Sequence, residues 1–199
     1  MVENHIQRRP IALAIFFIVV GVIGWYAAFA LTIEKIDLLL DPSAAAGCDF
    51  SIVVQCTANL LSWQGELFGF PNPLIGLTAW AAPIVVGTAL LAGARFNRWF
   101  WVLFNAGTVG ALGFVIWLIN QSVFVLGTLC PWCMVTWSVT IPLFWTLTLY
   151  NFREGRFTSN DRVRHAAGTL LGWVPAITVA SYLIVAIIAQ LRLDFISYL

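Results

Sequence analysis

Hydrophobic positions fall in long uncharged blocks separated by short polar ones. Ile11 to Ile33 is an uncharged run of 23 residues, and a helix needs about 20 apolar residues to cross a bilayer. Charge then arrives abruptly at Glu34, Lys35, Asp37 and Asp41, where the chain leaves the membrane. Pro71-Asn72-Pro73 opens a second uncharged block, Pro73 to Gly93, which Arg95 and Arg98 close. The next block, Trp99 to Phe152, has 54 uncharged residues, too many for one crossing and enough for two with a short link. Asn120, Gln121 and Ser122, followed by Gly127, are polar enough to be that link. The third span is therefore expected at 99–119 and the fourth at 130–150. Past a connector from Arg153 to His165, a fifth span is expected at 166–191. A bend is expected at Pro175, because proline lacks the N–H that would continue the helix. The pattern predicts an all-α integral membrane protein forming a single domain over 1–199, with spans near 11–33, 73–93, 99–119, 130–150 and 166–191 and an outer loop at 34–70.

Composition agrees: 61% of residues are hydrophobic and 10% charged, against roughly 25% charged in an average soluble domain. A net charge of +1 gives no sign of nucleic-acid binding. The span cores hold no Asp, Glu, Lys, Arg or His, which argues against an ion channel or a proton-coupled transporter. Arg8 and Arg9 before an apolar run, with Ala28-Phe29-Ala30 after it, resemble a signal peptide. The 23-residue run exceeds the usual 7 to 15 of a signal core, and the segment is expected to stay as a helix. Arg8, Arg9, Arg95, Arg98, Arg153, Arg156, Arg162 and Arg164 would fall on one side of the membrane and Lys35 and Arg192 on the other. Basic residues favour the cytoplasmic side, so the N-terminus is expected inside, and the C-terminus and the 34–70 loop outside.

Four cysteines then share the outer face. Cys130-Pro131-Trp132-Cys133 opens the fourth span, and positions i and i+3 of a helix lie on one face. Proline is favoured at the first helical position, which puts Cys130 at or near the N-cap. Unpaired N–H groups there stabilise a thiolate, and thiolate character separates a reactive cysteine from an inert one. Cys48 and Cys56 lie in the 34–70 loop. On a continuous helix eight positions mean about 12 Å of rise, beyond the ~7 Å reach of a disulfide between Cα atoms, so the chain must turn if they pair. Such a pair is either a structural staple or a reversible shuttle.

Spacing disfavours two other uses of CxxC. A four-cysteine zinc site wants closely spaced ligands in both halves, and the loop half has seven intervening residues. Covalent haem attachment wants histidine after the second cysteine, where Met134 stands. No metal is expected. Cys130, Cys133, Met134 and Trp137 form an i, i+3, i+4, i+7 stripe, a face that packs in most membrane helices. With thiols beside it, that face also suits a flat apolar electron acceptor.

The loop pair, Ser62 six residues after Cys56, the run Phe70-Pro71-Asn72-Pro73-Leu74-Ile75-Gly76 and the Cys130-Cys133 motif together resemble the vitamin K epoxide reductase family in its bacterial branch. The resemblance covers about Ile11 to Tyr150. It implies a four-helix transmembrane bundle around a quinone site, with a fifth transmembrane helix as in bacterial members. It implies a disulfide-generating oxidoreductase with Cys48, Cys56, Cys130 and Cys133 catalytic, the loop pair as shuttle, Cys130 as its exchange partner and Cys133 nearest the quinone. Ser62, Asn72, Met134 and Trp137 would be quinone-side residues, and the quinone would be menaquinone or ubiquinone. Electrons would come from a separate thioredoxin-fold thiol oxidase, since many relatives carry that fold fused after the fifth span. Trp137 stands where the vertebrate enzymes have tyrosine, which counts against phenol-dependent epoxide chemistry. The alternatives are a quinone or vitamin K epoxide reductase proper, and a membrane scaffold with structural disulfides.

Overall fold

The computed structural model describes residues 10–41, 43 and 45–198; Arg8 and Arg9, which the charge count used, lie outside them. Helix α1 (Ile11–Leu40) is followed by the short α2 (Thr57–Leu61) and a 3-10 turn at Trp63–Glu66. Then come α3 (Asn72–Leu91), α4 (Arg98–Asn120) with a π-helical continuation at Gln121–Leu126, α5 (Pro131–Arg153), α6 (Asp161–Gly172) and α7 (Val174–Leu193). Five of these helices, with α4 counted through Leu126, are long and apolar enough to cross a membrane. The protein is an all-α, multi-pass membrane protein. Its large apolar side chains Val85, Val109, Ile116 and Leu183 are exposed on the outside of the bundle, as lipid-facing surfaces require.

At 1.5 Å per residue, the 30 residues of α1 make a helix of about 45 Å, longer than the ~30 Å hydrocarbon layer. Its last turns rise clear of the apolar run and support the loop above. Lys35, only 4% exposed, donates there to the Leu60 carbonyl at 2.8 Å and pairs with Glu66 at 2.7 Å. A buried ammonium needs such partners, because leaving its charge unpaired costs several kcal/mol.

Small residues let α1 and α3 approach closely. A Cβ on Gly24 would lie 2.3 Å from the Trp80 ring, and one on Gly87 would lie 2.6 Å from the Ala14 carbonyl. Close backbone approach of this kind drives association between helices in lipid. Helix α5 is central, packing on α1, α4, α6 and α7. Pro142 interrupts it and cannot donate to the Ser138 carbonyl one turn back. The Tyr182 hydroxyl of α7 donates to that carbonyl instead.

The expected single fifth span, 166–191, is corrected to two helices. Helix α6 starts at an Asn160 cap whose side chain accepts from the Arg162 N–H at 3.0 Å. The chain then breaks at Trp173, and α7 begins with Pro175 in its first turn, where a missing N–H costs nothing. The polar link expected at 120–122 is also corrected. The chain stays helical through Leu126 and turns at Gly127 with φ of 69°, a left-handed conformation that glycine adopts without strain.

Arginines gather at the end of the bundle away from the cysteines, for Cys130 and Arg153 sit at opposite ends of α5. The Arg156 guanidinium lies 4.2 Å from the Trp101 ring centroid and 4.8 Å from that of Tyr150, a cation–π arrangement. It also donates to the fully buried Asn151 at 2.9 Å. Arg98 reaches the Arg156 carbonyl at 2.6 Å.

Candidate redox site

Cys130 is the N-cap of α5 with extended backbone, φ −90° and ψ 120°, and Pro131 occupies the first helical position. The Cys133 N–H donates to the Cys130 sulfur at 3.4 Å, as an N-cap side chain normally accepts from the third residue of the first turn. Cys130 is fully buried, and both cysteines of the motif are free thiols.

Cys48 and Cys56 form a disulfide with Cα atoms 5.7 Å apart, so the chain does turn between them. The turn is tied by Asp49, whose carboxylate accepts from the Cys56 N–H at 2.6 Å, the Thr57 N–H at 3.1 Å and the Thr57 hydroxyl at 2.6 Å. Burial works to raise the Asp49 pKa. Hydrogen bonds from the Thr57 side chain and from the backbone of Thr57, Cys56 and Ala46 outweigh it and hold the carboxyl below its ordinary value of 3.8. The atoms of Cys48, Asp49 and Cys56 lie close enough to share an ion. The disulfide and these hydrogen bonds already occupy them.

Two backbone hydrogen bonds bring the pairs together. Gln55 N–H donates to the Leu129 carbonyl at 3.0 Å and Leu129 N–H to the Val53 carbonyl at 2.7 Å, an isolated parallel bridge. The residues that follow each side of this bridge are Cys56 and Cys130, and their sulfurs lie 3.4 Å apart. Cys56 is fully buried and Cys48 nearly so. Thiol–disulfide exchange needs a thiolate beside a disulfide sulfur, and this register supplies that contact.

On its inner side the site opens into a cavity of about 510 Å³ among α1, α3, α4, α5 and the α2 segment, a size common for small-molecule sites. Trp80, Leu103, Phe104, Phe114, Val115 and Leu143 supply apolar wall. Cys133, Trp137, Ser62 and Asn72 also line it. Met134, expected beside them, lies outside the cavity wall and is 36% exposed. Position i+4 from Cys130 falls far enough round the helix to face outward. Ser62 donates to the Asn59 carbonyl at 2.7 Å and caps the 3-10 turn. Asn72 donates to the Gln64 carbonyl at 2.6 Å and accepts from the Leu67 N–H at 3.2 Å.

Sequence reasoning missed the polar groups on this wall. Asn59, 9% exposed, donates to the Thr128 hydroxyl at 2.8 Å and accepts from Ser122 at 3.0 Å. Gln64, 3% exposed, donates to Gln121 at 3.2 Å. A clue was available: amides inside otherwise apolar stretches need partners when buried. A flat quinone with two carbonyls fits this setting, a wide apolar wall with a few amide and hydroxyl groups and a thiol at the edge.

A profile of the Vitamin K epoxide reductase family matches residues 15–148, a stretch that holds all four cysteines and leaves α6 and α7 outside. No curated protein sequence matches the chain closely enough to count as a relative. The match covers well over half of the chain, and so this membrane protein belongs to the Vitamin K epoxide reductase family, whose members are membrane quinone and disulfide oxidoreductases.

Proposed function

We propose that the protein is a thiol:quinone oxidoreductase that reoxidises a thioredoxin-fold thiol oxidase outside the cytoplasm and passes the electrons to a membrane quinone. The observation that carries this reading is the 3.4 Å contact between the Cys56 and Cys130 sulfurs, with Cys133 on the cavity wall beyond. On this reading residues 1–199 act as one membrane domain. The arginine end faces the cytoplasm and the cysteine end faces outward, as basic residues prefer.

The route begins with a partner thiolate attacking Cys48 in the Cys48–Cys56 disulfide. A mixed disulfide forms to Cys48, and Cys56 leaves as a thiolate facing Cys130. Cys56 attacks Cys130 of an oxidised Cys130–Cys133 pair and releases Cys133. The partner's second thiolate then resolves its bond to Cys48, and the partner departs oxidised. Cys48 attacks Cys56, closing the loop disulfide again and releasing Cys130. Two electrons now rest on Cys130 and Cys133. The oxidation states seen here, loop pair joined and membrane pair free, match this stage. A quinone takes up two electrons and two protons on becoming a quinol, which matches the two that the pair must lose to close its disulfide. Cys133, at the cavity wall, is the thiol that delivers them. Trp137 flanks it with a flat apolar face, while Ser62 and Asn72 hold the loop that roofs the cavity. Menaquinone or ubiquinone serves as the acceptor, whichever the membrane provides.

Replacing Cys48 with alanine removes the thiolate that resolves the Cys56–Cys130 bond. Peptide mapping under non-reducing conditions should then find Cys56 joined to Cys130, and quinone-dependent oxidation of a dithiol partner should stop. Full turnover in Cys48→Ala with no such bond would sink the route.

A further inference from the structure

The polar groups on the cavity wall are nearly all spoken for. Asn59 is bonded to Thr128 and Ser122, Ser62 to the Asn59 carbonyl and Asn72 to Gln64 and Leu67. The hydroxyls of Thr136 and Thr140 return to helix carbonyls one turn back. Gln64 stands apart. Its side chain is buried, lines the cavity and holds an oxygen, Oε1, with no hydrogen-bond partner among the described residues. A buried amide oxygen beside an apolar cavity calls for a donor, and orphans of this kind are rare in folded proteins.

The rest of Gln64 is held in place. Its carbonyl accepts from Asn72 at 2.6 Å, the Gly65 N–H that follows donates to the Ser62 carbonyl at 3.0 Å, and its amide nitrogen donates to the Gln121 oxygen at 3.2 Å. The partner is itself an amide, and this matters chemically. An amide presents a donor on one side and an acceptor on the other, so two facing amides can both turn over and keep their mutual bond.

We propose, resting on the quinone reading above, that Gln64 is the headgroup-binding residue of the cavity and that its amide serves both oxidation states by turning over together with Gln121. In the orientation seen Oε1 is closed over by its neighbours; with the side chain eased toward the cavity it accepts from a quinol hydroxyl. With both amides turned, Gln64 Nε2 donates to a quinone carbonyl and Gln121 Nε2 donates to Gln64 Oε1. A quinone carbonyl is only an acceptor, whereas a quinol hydroxyl also donates. A carboxylate at this place, an acceptor only, would serve the quinol alone. With the membrane pair reduced, the next molecule to bind is a quinone, and it is met by turning both amides from the orientation seen.

The test uses the full chain in lipid with a short-tailed quinone carrying ¹³C at one carbonyl, and reads both binding by titration and the carbonyl stretch by difference infrared spectroscopy. In the unmodified protein one labelled carbonyl should be shifted to lower frequency relative to the same quinone in lipid alone. Gln64→Met and Gln64→Leu should return that band to its lipid position and weaken binding about tenfold, with the Cys48–Cys56 disulfide still formed as the sign of a folded loop. Two variants guard against one failing to fold, since the backbone bond from Asn72 does not need the side chain. A shifted band that persists in either folded variant overturns the proposal, as does a bound quinone with unshifted bands in the unmodified protein. No saturable quinone binding at all overturns instead the quinone reading on which it rests.

Discussion

The two cysteine pairs meet at one contact and are held there by unlike means. Cys130 and Cys133 are placed by a long helix: proline at its first position, a cap, and a turn of α-helix set their spacing without help from distant residues. Cys48 and Cys56 are placed by a loop that depends on Asp49, on the bridge from Val54 to Leu129, and on the buried Lys35 beneath it. The lesson is that one pair is fixed by its own helix and the other by ties to residues elsewhere in the chain. On the route proposed above, a nearly buried pair that accepts electrons from a protein and hands them inward gains from a support with a few breakable ties. A pair that faces a lipid-soluble acceptor gains from rigidity.

The sharpest way to break the comparison is to remove the inner thiol. In Cys133→Ala, Cys130 keeps its place and can still exchange with Cys56, whereas the cavity loses the one sulfur among its described lining residues. Stopped-flow quinone reduction should vanish while the Cys56–Cys130 bond still forms. Unchanged quinone reduction in the folded variant would remove Cys133 from the mechanism.

Next in size is the tie at Asp49. Hydrogen bonds to a charged acceptor are worth about 1.5–3 kcal/mol each, so Asp49→Asn should loosen the loop by a comparable amount. The loop disulfide should then react some tenfold or more faster with a phosphine reductant, which needs no thiolate, while Cys130 and Cys133 label as before. Acid should do the same. A carboxyl whose pKa falls on folding contributes stability that is complete above its ordinary value of 3.8 and is lost as pH falls through the lower folded value. The unmodified loop should therefore keep its protection at neutral pH and lose it only below the usual carboxylate range, and Asp49→Asn should show no such transition. A transition that survives in the variant would assign it to another group.

The smallest effect expected is at Trp137, 6% exposed and on the cavity wall. Aromatic contacts are worth about 0.5–1.5 kcal/mol beyond area, so Trp137→Ala should weaken quinone use several-fold and leave exchange between the pairs untouched. Equal losses in both half-reactions would mean that Trp137 acts through packing of α5.

Much of this was legible beforehand for physical reasons. Uncharged runs report membrane spans because lipid tolerates little else, and Pro131 reports a helix start because its ring forbids most other places. The Cys130 cap followed from those two facts. Other features were hidden because polarity was taken to mean exposure. Asn120, Gln121 and Ser122 read as a loop, yet Ser122 is 4% exposed and spends its hydroxyl on Asn59. That satisfaction depends on a residue 63 positions away, which no local pattern contains. Met134 misled for the opposite reason. The i+4 spacing is right for a helix face, but a face about 100° wide covers more than one cavity can see. The break at Trp173 could be placed within a few residues from Pro175, though whether a proline bends a helix or starts one depends on what precedes it.

The bridge between Val54 and Leu129 has a kinetic meaning as well as a spatial one. Two backbone bonds hold a loop sulfur and a helix sulfur in contact before any electron arrives, so the encounter that limits ordinary thiol exchange in solution has already taken place. Well-oriented intramolecular reactions behave as if one reactant were present at about 10⁵–10⁸ M. On the proposed route, with the internal transfer favoured on that scale, the pace of the cycle would pass to its two ends, the arrival of a protein from the water and the exchange of a small molecule with the lipid.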